Sequence, residues 1–271
     1  MMSMLKKNRI REKENWEKPP LNLALPEDEV HVWRASLEVP IPRIIDLHNL
    51  LSEDEVSRAG RYYFERDRRR FIVGRGQLRE ILCQYLGIDP QELTFDYNHY
   101  GRPELSNNHK EIHFNLSHAG ETVLYAITCG REVGIDIEYL HRDVDMELII
   151  RRNCSEREKL DFDVVPGELK REALFNCWTR KEAYIKAQGD GLALSLNKFS
   201  VSLLPGEPAE LIDTQGGVHE TARWIIAEID AGPGYIASIA IECQGWRMRK
   251  WEWFCDKSGE RESGAHELPC R

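Results

Sequence analysis

Two short stretches of this chain hold side chains at spacings that could do chemistry. Gly134-Ile-Asp-Ile-Glu138 alternates small or acidic residues with apolar ones. On an extended strand Val133, Ile135 and Ile137 take one face while Gly134, Asp136 and Glu138 take the other, with the two carboxylates about 7 Å apart. Like charges that close raise each other's energy unless a cation lies between them. The pair reads either as a solvated acidic edge or as two ligands of a metal ion. Downstream, Trp178, Glu182 and Lys186 recur one helical turn apart and share a face. By themselves they are an exposed ion pair over a core aromatic, or a working carboxylate and ammonium. Together Asp136, Glu138 and Glu182 offer three carboxylates to one hard cation. So few protein oxygens suit Mg²⁺, with Mn²⁺ as a substitute, because Mg²⁺ keeps waters and completes its shell from substrate phosphates. The chemistry implied is phosphoryl chemistry.

Two further groups bear on an anionic substrate. Phe114-Asn-Leu-Ser-His-Ala-Gly120 ends an alternating strand in a small-residue turn. Ser117 and His118, adjacent on an extended chain, point to opposite sides and cannot form the mutual hydrogen bond that activates a serine. At a strand end beside a glycine they could instead hold a phosphate, or His118 could be structural. Arg58, Arg61, Arg66, Arg68, Arg69, Arg70, Arg75 and Arg79 form a basic run, with Arg102 in a Gly-Arg-Pro turn further on. Most arginines on a helix are its wet face. A few turned toward a cleft would grip phosphates bidentately.

The elements that must position these groups occur in an order that repeats. A strand over Val30 to Leu37 leads to Ser52-Glu-Asp-Glu55, a capping box able to open a helix. A longer helix from about Asp67 to Leu86 sets Phe71, Leu78, Ile81, Leu82 and Tyr85 on one face before Gly87 stops it. Strands follow near Leu93 to Tyr97, Ile112 to Ser117 and Val123 to Thr128. In the second pass a strand over Val133 to Glu138 precedes Ser155-Glu-Arg-Glu158, a long helix ending at Gly189 before a Gly-Asp-Gly turn, and strands near Phe199 to Leu204, Ala222 to Ile229 and Tyr235 to Ile241. The fold expected is α+β, with two similar halves related by a pseudo-twofold, each a small, mainly antiparallel sheet on a long helix. The halves span 29–130 and 131–255, between a flexible arm, 1–28, and a flexible tail, 256–271. A ligand cleft is expected between them. The aromatic run Gly245-Trp-Arg-Met-Arg-Lys-Trp-Glu-Trp-Phe254 reads as an edge strand packed on the second half.

Composition narrows the classes. The 271 residues can bury a proper core. A net charge of -9 argues against general attraction to nucleic acid or anionic membrane, and no stretch is long enough to span a bilayer. Seven scattered cysteines without a Cys-x-x-Cys pair fit reduced thiols in the cytoplasm better than a disulfide scaffold or zinc site.

With these residues in place the chain resembles the Sfp-type 4′-phosphopantetheinyl transferases. The resemblance rests on Gly101-Arg-Pro103, Phe114-Asn-Leu-Ser-His118, Gly134-Ile-Asp-Ile-Glu138 and Trp178-Thr-Arg-Lys-Glu-Ala-Tyr-Ile-Lys186 in the family's order, and Arg70 to Arg79 also looks like its first-half helix. It implies a monomer that moves phosphopantetheine from coenzyme A to a serine of an acyl, polyketide or peptidyl carrier protein, leaving adenosine 3′,5′-bisphosphate. It further implies Asp136, Glu138 and Glu182 as metal ligands, Glu182 also as base, Lys186 at the pyrophosphate, Arg102, Ser117 and His118 on coenzyme phosphates, and Arg58, Arg70 and Arg75 as first-half contacts. Glu55 stands where some members carry a basic residue near the 3′-phosphate, so that grip passes to Arg58 or Arg61. A non-catalytic coenzyme A or carrier-binding module and a Mg²⁺-dependent phosphohydrolase share the acidic residues. Transfer of mass to a carrier, or release of free phosphopantetheine without one, separates these readings.

Overall fold

Strand β1 (Glu29–Ser36) pairs antiparallel with β5 (Thr122–Cys129), which pairs with β4 (Ile112–Ala119). A second sheet joins β6 (Val133–Tyr139), β10 (Tyr235–Glu242) and β9 (Trp224–Ile229), all antiparallel. In this computed structural model residues 15–106, 111–189, 195–242 and 245–254 are described. The α+β architecture expected from the sequence is present, as small antiparallel sheets covered by helices.

The period of two along each strand decides the layering. Val30 and Val32 of β1 and Leu124 and Ala126 of β5 pack against Ile135, Ile137 and Ile239 of the other sheet. Trp33, Val123, Tyr125 and Ile127 point the opposite way, onto α3 (Glu65–Leu86), where Leu78, Ile81 and Leu82 are fully buried. The two sheets thus lie back to back, each with a long helix outside. The second helix, α6 (Lys170–Gln188), lies on β6 and β10 and ends at Gly189 in the left-handed conformation, φ 74°.

Each half opens its helical run in the same way. Helix α2 (Glu53–Ala59) and, in the second half, α5 (Glu156–Asp163) start with the capping boxes read from sequence. Both box glutamates are buried and ion-paired to the long helix, Glu55 to Arg79 at 2.7 Å and Glu158 to Lys181 at 2.8 Å. Such pairs cost desolvation and are strongly destabilising to break, so they fix where each short helix meets its long one.

Several elements depart from expectation. The aromatic run forms β11 (Arg247–Glu252), which pairs in parallel with β1, Trp251 opposite Trp33. It therefore completes the first sheet, and Trp251 joins the first-half core instead of packing on the second half. The end of the N-terminal arm is not loose: Trp16 Nε1 donates to Asp230 O at 2.9 Å and Glu17 bridges Trp251. The strand expected from Ala222 starts at Trp224, because α7 (Gly217–Arg223) runs up to it, and the one near Phe199 to Leu204 shrinks to β7 (Ser200–Val201) beside β8 (Leu211–Asp213). Helices α1 (Ile41–His48) and α4 (Met146–Asn153) fill stretches to which no element was given. The rest of the Gly-Asp-Gly turn after Gly189 and the tail 256–271 lie outside the described residues.

Candidate active site

The site begins with an unusually close approach. A Cβ built on Gly134 would lie 2.1 Å from Ala183 O and 2.3 Å from Ala187 N, so only glycine lets β6 sit directly on the backbone of α6. Two residues further along the same strand face is Asp136, and immediately before the two contacting alanines, one helical turn from each other, are Glu182 and Lys186. Asn115 of β4 accepts from Ile135 N at 2.9 Å and ties β6 to the first sheet at the same level.

Asp136 is 5% exposed. Its Oδ1 accepts from Lys186 Nζ at 2.6 Å and from Ser117 Oγ at 2.9 Å, whereas its buried Oδ2 has no partner among the described residues. A buried carboxylate oxygen without a hydrogen bond is costly and has the chemistry of an oxygen ligand for a hard cation. Glu138 accepts from Arg142 Nη1 at 2.9 and 3.0 Å. Burial, and then the charge of Asp136, push the Glu138 carboxyl above its ordinary range. The Glu182 carboxyl is raised by the same two causes in the same order, so it senses Asp136. Their oxygens are not gathered within 4.8 Å of one another; among the described residues that closeness belongs to Cys154, Glu158 and Cys177. There Glu158 already takes Lys181 and the Ser155 and Val201 amides.

A cleft of about 530 Å³ opens beside these groups and is lined by Arg58, Arg70, Arg75, Arg102, His118, Glu182 and Lys186. Arg58 stacks over Phe71 at 5.6 Å and Tyr97 at 5.9 Å. Neither Arg58 nor Arg70 has an ion pair among the described residues, whereas Arg68 and Arg69 pair with Glu65, and Arg66 with Asp67. His118 is exposed at the end of β4, yet desolvation by the surrounding cleft walls, then the charges of Arg70 and Lys186, lower its pKa, which favours its neutral form near neutrality.

Two expected contacts are turned elsewhere. Ser117, 9% exposed, is not on the cleft wall; it bridges Asp136 and Lys186, whose Nζ donates to its Oγ at 3.0 Å. Arg102 reaches the wall, but its guanidinium donates to Lys186 O at 2.8 Å and Glu132 Oε2 at 3.2 Å, bracing the C-terminal end of α6 where carbonyls lack helical partners. A hairpin of β2 (Phe95–Tyr97) and β3 (Pro103–Leu105), turning at Gly101 with φ 79°, holds it there. Arg142 was missed by sequence reasoning: it follows Glu138 by four residues beyond the strand end, where no periodicity constrains its direction.

The raised carboxyls give a signed pH dependence. A folded-state pKa above the unfolded one contributes stability that is complete below the unfolded value and lost as pH rises through the folded value. Thermal melts of metal-free protein should therefore show stability falling as pH rises through the window just above the ordinary carboxylate range, about 4. Glu182→Gln should flatten that fall.

An arginine-lined cleft with Glu182 and Lys186 on its wall and the buried carboxylate of Asp136 bonded to that lysine is what an enzyme working on a phosphorylated substrate presents. The description "4'-phosphopantetheinyl transferase superfamily" matches residues 132–240 and "4'-phosphopantetheinyl transferase, N-terminal" matches residues 40–130. The chain is 40% identical over 241 residues to the 4′-phosphopantetheinyl transferase HetI of Nostoc sp., covering 88% of this chain and 98% of that protein. It is also 29% identical over 155 residues to the 4′-phosphopantetheinyl transferase Sfp of Bacillus subtilis, covering 57% and 67%. A holo-[acyl-carrier-protein] synthase of Thermotoga maritima superposes with TM-score 0.33 at 21% identity over 41% of this chain and 62% of its own, which adds nothing to the fold described above. The chain belongs to the 4′-phosphopantetheinyl transferase superfamily and is a transferase of the Sfp type. No helix among the described residues is long and apolar enough to cross a membrane.

Proposed function

We propose that this protein transfers the 4′-phosphopantetheine group from coenzyme A to a serine of an acyl, polyketide or peptidyl carrier protein, with Mg²⁺ held by Asp136, Glu138 and Glu182. The observation that carries the reading is the unpartnered, buried Oδ2 of Asp136 beside Glu182 and Lys186. When bound, the ion would polarise the coenzyme diphosphate and screen its charge. Glu182 takes the proton of the carrier serine, whose hydroxyl is a poor nucleophile at neutral pH. The serine oxygen forms a bond to the phosphorus nearer the pantetheine. The bond from that phosphorus to the bridging oxygen breaks, and the electron pair leaves with adenosine 3′,5′-bisphosphate. Lys186 stabilises the charge developing on that leaving group.

The remaining contacts sort by where they lie. Arg58, Arg70, Arg75 and His118 face the cleft and bind coenzyme phosphates. Ser117 positions Asp136 and Lys186, and Arg102 adds what its bracing of α6 leaves over. The free, buried thiols of Cys83, Cys154 and Cys177 support action in the cytoplasm, and the resemblance to the family supports a monomer.

Incubation of an apo carrier protein with the enzyme, coenzyme A and Mg²⁺, read by intact-mass spectrometry, should show a gain of one phosphopantetheine per carrier, with none after chelation. An unmodified carrier, or free phosphopantetheine released without a carrier, contradicts the reading.

A further inference from the structure

Ser238 of β10 lies directly opposite Asp136 in the antiparallel ladder with β6, and both are buried. Residues opposed in this way share a face of the sheet, with Cβ atoms about 5 Å apart. Ser117 and Lys186 hold Oδ1 of Asp136. Oδ2 has no partner among the described residues, although a serine hydroxyl is its neighbour across the ladder. That hydroxyl is engaged elsewhere: Ser238 Oγ is 2.9 Å from Oγ1 of Thr179, a fully buried residue of α6. Thr179 Oγ1 also lies 2.9 Å from Phe175 O, four residues back on its own helix. A carbonyl oxygen can only accept, so the threonine proton goes to Phe175 O. The bond between the two hydroxyls must then use the serine proton, with Thr179 Oγ1 accepting. Glu228, opposite Ser238 on its other flank, accepts from Arg180 Nη2.

We infer that Thr179 is a positioning residue for the metal site: by accepting the Ser238 proton it keeps that hydroxyl off Asp136 and leaves Oδ2 free to ligate the divalent ion. This rests on the proposed reading of Asp136 as a metal ligand. A serine donating to a buried carboxylate makes a charge-assisted bond, stronger than one between two hydroxyls. Without the threonine acceptor the serine proton goes to Asp136, and a cation must break that bond before it can bind. The back-bond to Phe175, which a helical threonine makes readily, fixes the direction of the exchange. A threonine free to turn could donate to Ser238 and release the serine proton to Asp136. Thr179 precedes Glu182 by three residues on α6, so the helix that brings the third carboxylate also keeps the first one open.

Mn²⁺ titrated into the full chain with coenzyme A present, and followed by electron paramagnetic resonance, reads the effect without turnover. Thr179→Val, which keeps the shape of the side chain and removes the acceptor, should weaken Mn²⁺ binding by about tenfold or more, the worth of a hydrogen bond to a charged group. Ser238→Ala should bind Mn²⁺ within about twofold of wild type, and adding it to Thr179→Val should restore the affinity to the same margin. Thr179→Ser, which retains the hydroxyl, should also match wild type. A double variant as weak as Thr179→Val alone overturns the inference, because a merely structural loss at α6 is not rescued by removing a second hydroxyl. If wild type binds Mn²⁺ and Thr179→Val binds it equally well, this inference alone fails; if wild type binds no Mn²⁺, the metal reading fails with it.

Discussion

Glu182→Gln should lower the rate of carrier labelling by roughly a hundred- to ten-thousand-fold, the span attributed to a positioned general base, while coenzyme A binds within a few-fold of wild type. The substitution keeps the shape of the side chain and removes only its charge. Glu182 is half-buried on the cleft wall, no hydrogen bond holds it among the described residues, and its carboxyl is raised by burial and by Asp136. Such a group is an unusually ready proton acceptor at neutral pH and does little for the fold. The variant should melt no lower than wild type, because it takes one like charge out of an acidic cluster. Near-normal labelling by Glu182→Gln would remove it from the chemistry. A large drop in melting temperature would mean the loss of activity reports unfolding.

The second large effect is expected far from any charge. Gly134→Ala adds one methyl group where Ala183 O stands 2.1 Å and Ala187 N 2.3 Å from the new atom. Both are backbone atoms of a helix packed across β6 and β10, so no side chain can rotate aside and the helix must move. Overpacking of this kind costs about 3 kcal/mol or more, which for a chain of this size lowers the melting temperature by roughly 6–12 °C. Because Glu182 and Lys186 ride on that helix and Asp136 on that strand, surviving folded protein should also transfer slowly, as misplacement by about 1 Å can cost a hundredfold. Wild-type melting and labelling by Gly134→Ala would show that α6 does not sit on β6 as described.

Both residues were visible in the sequence, for different reasons. The alternation from Val133 to Glu138 put Asp136 and Glu138 on one face with Gly134, because strand period depends only on the local chain. Likewise, the turn spacing from Trp178 to Lys186 placed Glu182 and Lys186 together. That the two faces meet was legible only through the resemblance to a family, since nothing local says which helix covers which strand. The glycine was read as one more small residue on the acidic face, although its role is the contact itself.

What stayed hidden is non-local. Strand β11 runs parallel to β1 after the whole second half has intervened, and its alternating tryptophans and charges suit an edge of either sheet. Ser117 and Arg102 were recognised as site residues, but their partners, Asp136 and the end of α6, come from distant segments and decide where the side chains turn. Glu55 shows the limit most clearly. A capping box predicts a glutamate folded back on its helix start, and the structure has that bond; the same carboxylate faces Arg75 and Arg79 only because α2 packs on α3.

The central claim is that Asp136, Glu138 and Glu182 act as one site for a single divalent ion. Electron paramagnetic resonance of Mn²⁺ titrated into the full chain with coenzyme A present tests it most directly. One ion per chain in wild type, lost or weakened at least about tenfold in Asp136→Asn and again in Glu182→Gln, is the result expected. Unchanged stoichiometry and affinity in both variants would contradict it.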